Sequence, residues 1–265
     1  MIAVVRSELV RLRRPGVVLG WAGLTALFAS LINIVMFQVV EQGTVPAQDG
    51  PGVSFPGPDE LLSSSGIVSG LSAASSFFGV VALSFWALAT ASDYSSGLVR
   101  ILVAAEPRRW RLVVGKWFAL GVATAGATVV ALLVNLLVAP VAASAGGFEP
   151  TAWGRDLVPT LMSATVNLYL SLLVWGTIGL GLALITRSSG VAIGIGVGYV
   201  LLLEAVITAA AADLAPWLPG ATISALANGG TARLGYQGAL GLGLAYVAVA
   251  ALASLAVFRR RDITD

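Results

Sequence analysis

The amino-acid sequence predicts an all-α integral membrane protein with six transmembrane helices, on three observations. Hydrophobic residues fill 57% of the 265 positions and charged residues only 11%, against about 25% charged in soluble domains. The mean hydropathy is +0.92. The apolar residues gather into six runs, each of the roughly 20 residues that a helix needs to cross the hydrocarbon of a bilayer. No stretch between the runs is large enough to bury a core of its own, so residues 1–265 form a single transmembrane domain.

Residues 1–15 place Ile2, Val5, Leu9 and Leu12 on one helical face, with Arg6 and Arg13 beside it. An interfacial helix would bury that stripe at the acyl boundary while its arginines meet anionic headgroups. A topogenic charge cluster with no fixed helix is the plainer alternative. The first span, 16–39, is too long for the apolar region of a secretory signal. The connection 40–66 is rich in Pro and Gly without Lys or Arg, which predicts an irregular loop. The remaining spans are 67–91, 113–142, 157–185, 190–212 and 237–258. Between the last two, Pro216, Trp217 and Pro219 precede a short apolar-periodic piece, 221–228, stopped by Gly229 and Gly230. Segment 213–236 is therefore either an outer loop or a re-entrant helix.

All but two of the 15 Lys and Arg residues fall in the N-terminal segment, the second and fourth connections and the C-terminal tail; the exceptions are Arg155 and Arg233. Positive charge collects on the cytoplasmic side, so both termini are expected there. The second connection, 93–111, carries the densest polar island. In it Leu98, Ile101, Leu102 and Ala105 recur at helical spacing after Gly97, and Pro107 forbids continuation. A helix of two to three turns is unstable alone and must pack on something. Arg100, Glu106, Arg108, Arg109 and Arg111 surround it with charge suited to a protein surface, although basic amphipathic helices also lie on lipid.

The segment from Asp93 to Arg109, Lys116 shortly after it, and the run Phe258, Arg259, Arg260, Arg261, Asp262 and Ile263 give the chain a likeness to a known family. It resembles the membrane (permease) subunit of type-2 ABC (ATP-binding cassette) transporters, with Asp93 and Val99 where that family often has Glu and Thr. The resemblance implies a coupling helix, made here by Leu98, Arg100, Ile101, Leu102, Glu106, Pro107, Arg108 and Arg109, that docks in a groove of an ATPase subunit. It further implies two ATPase subunits holding ATP and Mg, and a second copy of the chain or a similar permease. The expected activity is export across a bacterial plasma membrane by alternating access. The chain itself lacks the P-loop pattern G-x-x-x-x-G-K-S/T, offering only Gly115, Lys116 and Trp117. It is thus expected to be no enzyme, with no cofactor of its own. Nucleic-acid binding is not indicated, and without Cys or His no usual zinc site exists.

In the fifth span Gly190, Gly194 and Gly198 form a small-residue stripe that suits either packing within the chain or dimerisation. The resemblance favours the dimer, since first and fifth spans meet their counterparts across it in that family. Glu204 lies well inside the same span. A carboxylate there must be neutral, paired or facing water, so it lines a transport path or gate, or makes a structural hydrogen bond between helices. Asn33 is a second candidate for the path; with Asn135 and Asn167 it equally fits interhelical bonding. The competing function is an ion- or proton-coupled secondary transporter that uses Glu204 as carrier. Serine- and zinc-dependent intramembrane proteolysis both call for histidine, and an aspartyl protease needs two midplane carboxylates.

Overall fold

The computed structural model describes residues 2–41, 55–106 and 108–260, and no β-strand occurs among them. In chain order, α1 (Ile2–Leu12) precedes α2 (Pro15–Glu41). After α3 (Pro58–Leu62), a 3-10 turn at Gly66–Val68 leads into α4 (Ser69–Ala73) and α5 (Ser75–Ser95). Then come α6 (Leu98–Ala105), α7 (Arg109–Ala145), α8 (Leu157–Thr186) and α9 (Ser189–Gly198). A π-helical stretch, Tyr199–Glu204, joins α9 to α10 (Ala205–Ala210), and a 3-10 stretch, Ala212–Trp217, precedes α11 (Pro219–Ala227) and α12 (Tyr236–Arg260).

Among the described residues six stretches are long and apolar enough to cross a membrane: Pro15–Val40, Ser75–Ser95, Arg109–Ala145, Leu157–Thr186, Ser189–Ala210 and Tyr236–Phe258. They correspond one to one with the six predicted spans. The second differs in its start, because residues 66–73 form separate short turns and only α5 continues as a long helix. The cause lies in the neighbours. A Cβ on Gly66 would collide with the carbonyl of Leu61, and one on Gly70 would lie 2.2 Å from Asn33 Oδ1. The segment is thus pressed between other elements, and a run of apolar residues carries no mark of that. The predicted loop 40–66 ends in α3, and its residues 42–54 lie outside the described part.

Helix α7 has 37 residues, about 55 Å at 1.5 Å per residue, well beyond the roughly 30 Å of a hydrocarbon core. Its extra length at the N-terminal end carries α1 and α6. The tightest pair is α5 and α8, which exchange indoles over glycines: Trp86 covers Gly176 and Trp175 covers Gly79, with 2.4 Å between each ring and a would-be Cβ. Trp86 is fully buried and its Nε1 donates to Thr124 Oγ1 at 3.0 Å, which draws α7 to the same pair. Small residues allow such close approach where no hydrophobic force drives helices together.

The bundle has two distinct ends. At one, α1, α6 and the start of α7 meet the end of α12, where Arg109 Nη1 donates to the carbonyl of Phe258 at 3.0 Å. At the other lie α3, α11 and the α7–α8 connection, whose Trp153 donates to the carbonyl of Leu61 at 2.8 Å.

Candidate functional site

At the first end α6 is held on one side and open on the other. Gly97 has φ 71, and this left-handed residue turns the chain from α5 into α6 at little steric cost for glycine. Val99 is buried, with Val103 packed beside it, in a cluster with Trp86, Val113, Leu184 and Phe258. Leu98 and Leu102 are half-buried, while Arg100, Ile101, Ala105 and Arg108 are exposed. The side that packs on the bundle is therefore set by Val99 and Val103, one turn apart, and of the periodic Leu98, Ile101, Leu102 and Ala105, Ile101 and Ala105 stay exposed. Ile101 is 66% exposed, an aliphatic side chain next in the chain to the exposed Arg100. Glu106 pairs with Arg111 at 3.4 Å and accepts the backbone N–H of Arg108 at 3.3 Å. Pro107 lies outside the described residues.

Next to α6, four charged side chains from three helices interlock. Arg11 of α1 bonds Glu8 of the same helix and reaches Asp93 of α5 at 2.8 Å. Lys116 of α7 lies 3.1 Å from Glu8, 2.7 Å from Asp93 and 3.1 Å from the carbonyl of Ala89. Each charge has two partners of opposite sign, the condition under which ions tolerate burial. The contact requires α1 to lie hard against α7. Gly115 permits it, since a Cβ there would sit 2.6 Å from Val4 Cγ1. Thus α1 is helical, as its periodicity predicts, and its anchor is the buried Glu8 together with the half-buried Leu9 and Leu12.

At the opposite end Glu204 is fully buried. Its Oε2 accepts the N–H of Gly220 at 2.9 Å and its Oε1 that of Ala221 at 2.7 Å. These are orphan donors at the N-terminus of α11, a helix opened by Pro219, whose missing N–H costs nothing there. Buried Thr222, Ile223 and Leu226 hold α11 in the bundle, where it packs on α8 and α12. Both carboxylate oxygens are thereby occupied as a cap.

Asn33 is also fully buried. It donates to the carbonyl of Ala29 at 2.7 Å and to Asn135 Oδ1 at 3.0 Å, and Asn135 in turn donates to the carbonyl of Ile67 at 2.7 Å. The two amides tie α2, α7 and the turn before α4. The stripe of Gly190, Gly194 and Gly198 faces open space, with no heavy atom within 4 Å of a Cβ at any of the three. Gly196, off the stripe, does pack: a Cβ there would lie 2.7 Å from Leu83 Cδ1. Near α11 an open cavity of about 940 Å³ is lined by Ser65, Ser69, Ser72, Thr160, Asn167 and Asn228, among others. No group of three or more carboxylates suited to a metal ion occurs among the described residues.

A family model described as "Protein of unknown function (DUF2705)" matches residues 26–264. The chain belongs to the DUF2705 family. A search of the curated proteins finds no match. The DUF2705 match includes Asp93, Lys116, α6 and the Glu204 cap, whereas Glu8 and Arg11 precede it. The ionic cluster therefore joins the segment ahead of the DUF2705 match to two helices within it.

Sequence reasoning missed that cluster. One signal was present: Glu8 is the only acidic residue in a basic N-terminal segment and stands three residues before Arg11, a spacing that makes them helical neighbours.

Proposed function

We propose that this DUF2705 protein is the membrane subunit of an ABC transporter working as an exporter in a bacterial plasma membrane, with both termini in the cytoplasm. Two ATPase subunits, each binding ATP and Mg, dock at α6 of this chain and of a second copy or a similar permease. Their closure drives alternating access of the spans. The observation that carries this is α6 itself, a short helix with Val99 wedged into the bundle and Ile101, Arg100 and Arg108 offered outward.

The ionic cluster adds a mechanical reason. Asp93 lies just before the Gly97 turn, and Lys116 lies one to two turns into α7, so α5 and α7 are bonded to each other and to α1 on either side of α6. A push on α6 enters the three helices as one body. The open Gly190, Gly194 and Gly198 face suits a helix of the second permease. Use of Glu204 as a proton carrier, the alternative, is less well supported, because its two oxygens are already engaged by α11.

The test is copurification of the full chain from native membranes. Wild type is expected to bring down an ATPase polypeptide carrying a P-loop, and the double variant Ile101→Asp/Arg108→Glu to lose it while keeping its Tm. Both changes lie on exposed positions, where folding stability moves by about 0.5 kcal/mol or less. Full transport by the purified chain alone, or a retained ATPase in the double variant, refutes the proposal.

A further inference from the structure

A second cavity, of about 700 Å³, lies between α2 and α5, within the size range of ligand pockets. Its walls are apolar and include Trp21, Leu24 and Phe28 of α2 and Val81, Phe85 and Leu88 of α5. Its mouth is charged, formed by Arg14 and by the cluster of Glu8, Arg11, Asp93 and Lys116. We infer that this cleft binds one anionic phospholipid, its acyl chain along the seam of α2 and α5 and its phosphate at Arg14.

Three observations converge on that occupant. The first is length. From Gly16 at the mouth to Phe28 the α2 wall rises about 18 Å at 1.5 Å per residue, against roughly 15 Å for the hydrocarbon of one leaflet. Trp21 stacks on Phe85 with centroids 3.8 Å apart and Phe28 on Phe77 at 5.2 Å, so paired rings join α2 to α5 and the cleft runs alongside them. An acyl chain anchored at the mouth fits that length.

The second is charge. The four-membered cluster is internally balanced, two cations against two anions, so the mouth's excess is the single positive charge of Arg14. Its side chain is exposed and makes no ion pair among the described residues. An apolar cleft with one uncompensated cation at its rim complements a molecule with an apolar chain and one negative headgroup. The third is vacancy kept open by sequence. Gly16 and Gly20, one turn apart, both line the cleft, and a Cβ on either would meet no heavy atom within 4 Å. Neither glycine serves packing within the chain. Each withholds a side chain where a ligand can lie.

This binding does not depend on an ATPase partner, so it can be tested on the purified full-length chain. Native mass spectrometry in a mild detergent would count lipids retained when the chain is titrated with dioleoylphosphatidylglycerol or with dioleoylphosphatidylcholine. Wild type is expected to hold one phosphatidylglycerol in preference to phosphatidylcholine. Arg14→Gln should keep one lipid but lower the preference about fivefold, the worth of one arginine at an anionic surface. Gly20→Leu places a side chain in the cleft at a position where its Cβ meets no heavy atom within 4 Å, and should abolish the bound lipid at unchanged Tm; Gly16→Leu, one turn away, repeats the test should the first variant fold poorly. Equal retention of the two lipids by wild type, an unchanged preference in Arg14→Gln, or full retention in both glycine variants overturns the inference. So does a change of oligomeric state in the glycine variants without loss of lipid, which would mean that a second copy fills the cleft.

Discussion

Replacing Glu204 with glutamine changes one oxygen into an NH2 group and removes the charge. Of the two bonds to Gly220 and Ala221, the glutamine carbonyl can keep one. The other N–H is left facing a donor inside a buried site, a loss of about 1–3 kcal/mol. The favourable meeting of a carboxylate with a helix N-terminus disappears as well, worth up to about 2 kcal/mol when partly buried. Burying a neutral amide costs less than burying a charge, which offsets part of this, so the net destabilisation is about 2 kcal/mol. At 2–4 °C per kcal/mol for a chain of this size, Tm in detergent micelles should fall by about 4–8 °C. Hydrogen exchange supplies the local readout: the amides of Gly220 and Ala221 should lose protection ahead of those in α8. Gly220→Ala should act in the same direction, since its Cβ would lie 2.7 Å from Glu204 Oε2. A Glu204→Gln protein with unaltered Tm and fully protected amides, yet with transport abolished, would sink the capping account and return the carboxylate to the transport path.

Lys116→Met leaves Glu8 and Asp93 to share Arg11 in a site of nearly buried side chains. Breaking a buried pair in this way costs about 3–5 kcal/mol, measurable as a lower denaturant midpoint in micelles, and Glu8→Gln in the same chain should recover part of it by restoring neutrality. A double variant no more stable than Lys116→Met alone would argue against charge balance as the cause. Gly115→Ala should push α1 from α7 through Val4, seen as faster proteolysis within the first twelve residues, and Val4→Ala should reverse it; no change in cleavage would mean that the 2.6 Å approach is not needed.

The six spans were legible because length and hydropathy are local properties, and α6 because Gly97 and Pro107 bracket it. What escaped depends on partners remote in the chain. Glu8, Arg11, Asp93 and Lys116 each look like ordinary charges at the end of an apolar run, and only folding brings positions 8 and 116 within 3.1 Å. The partners of Glu204 are backbone N–H groups of Gly220 and Ala221, which leave no trace in residue identity. The choice of Val99 and Val103 as the inner side of α6 follows from where α7 and α12 lie, since every face of that helix except Arg100 is apolar enough to be buried. The seating of residues 66–73 against Asn33 and Asn135 was hidden for the opposite reason: the amides were noticed, but nothing in their spacing pairs them.

The π-helical stretch Tyr199–Glu204 has a bearing on how this chain can tolerate change. Such a stretch accommodates one residue more than an α-helix would, so losing one there can be absorbed by reversion to α-helical turns, whereas losing one from α9 would swing everything after it by about 100°, the angle of one helical step. Glu204 would leave α11 and turn toward acyl chains. Length is therefore the guarded quantity in α9, and the π-helical turn is where a change of one residue is best absorbed, while its outward Leu202 and Leu203, 70% and 51% exposed, are free to exchange with any greasy residue of similar bulk.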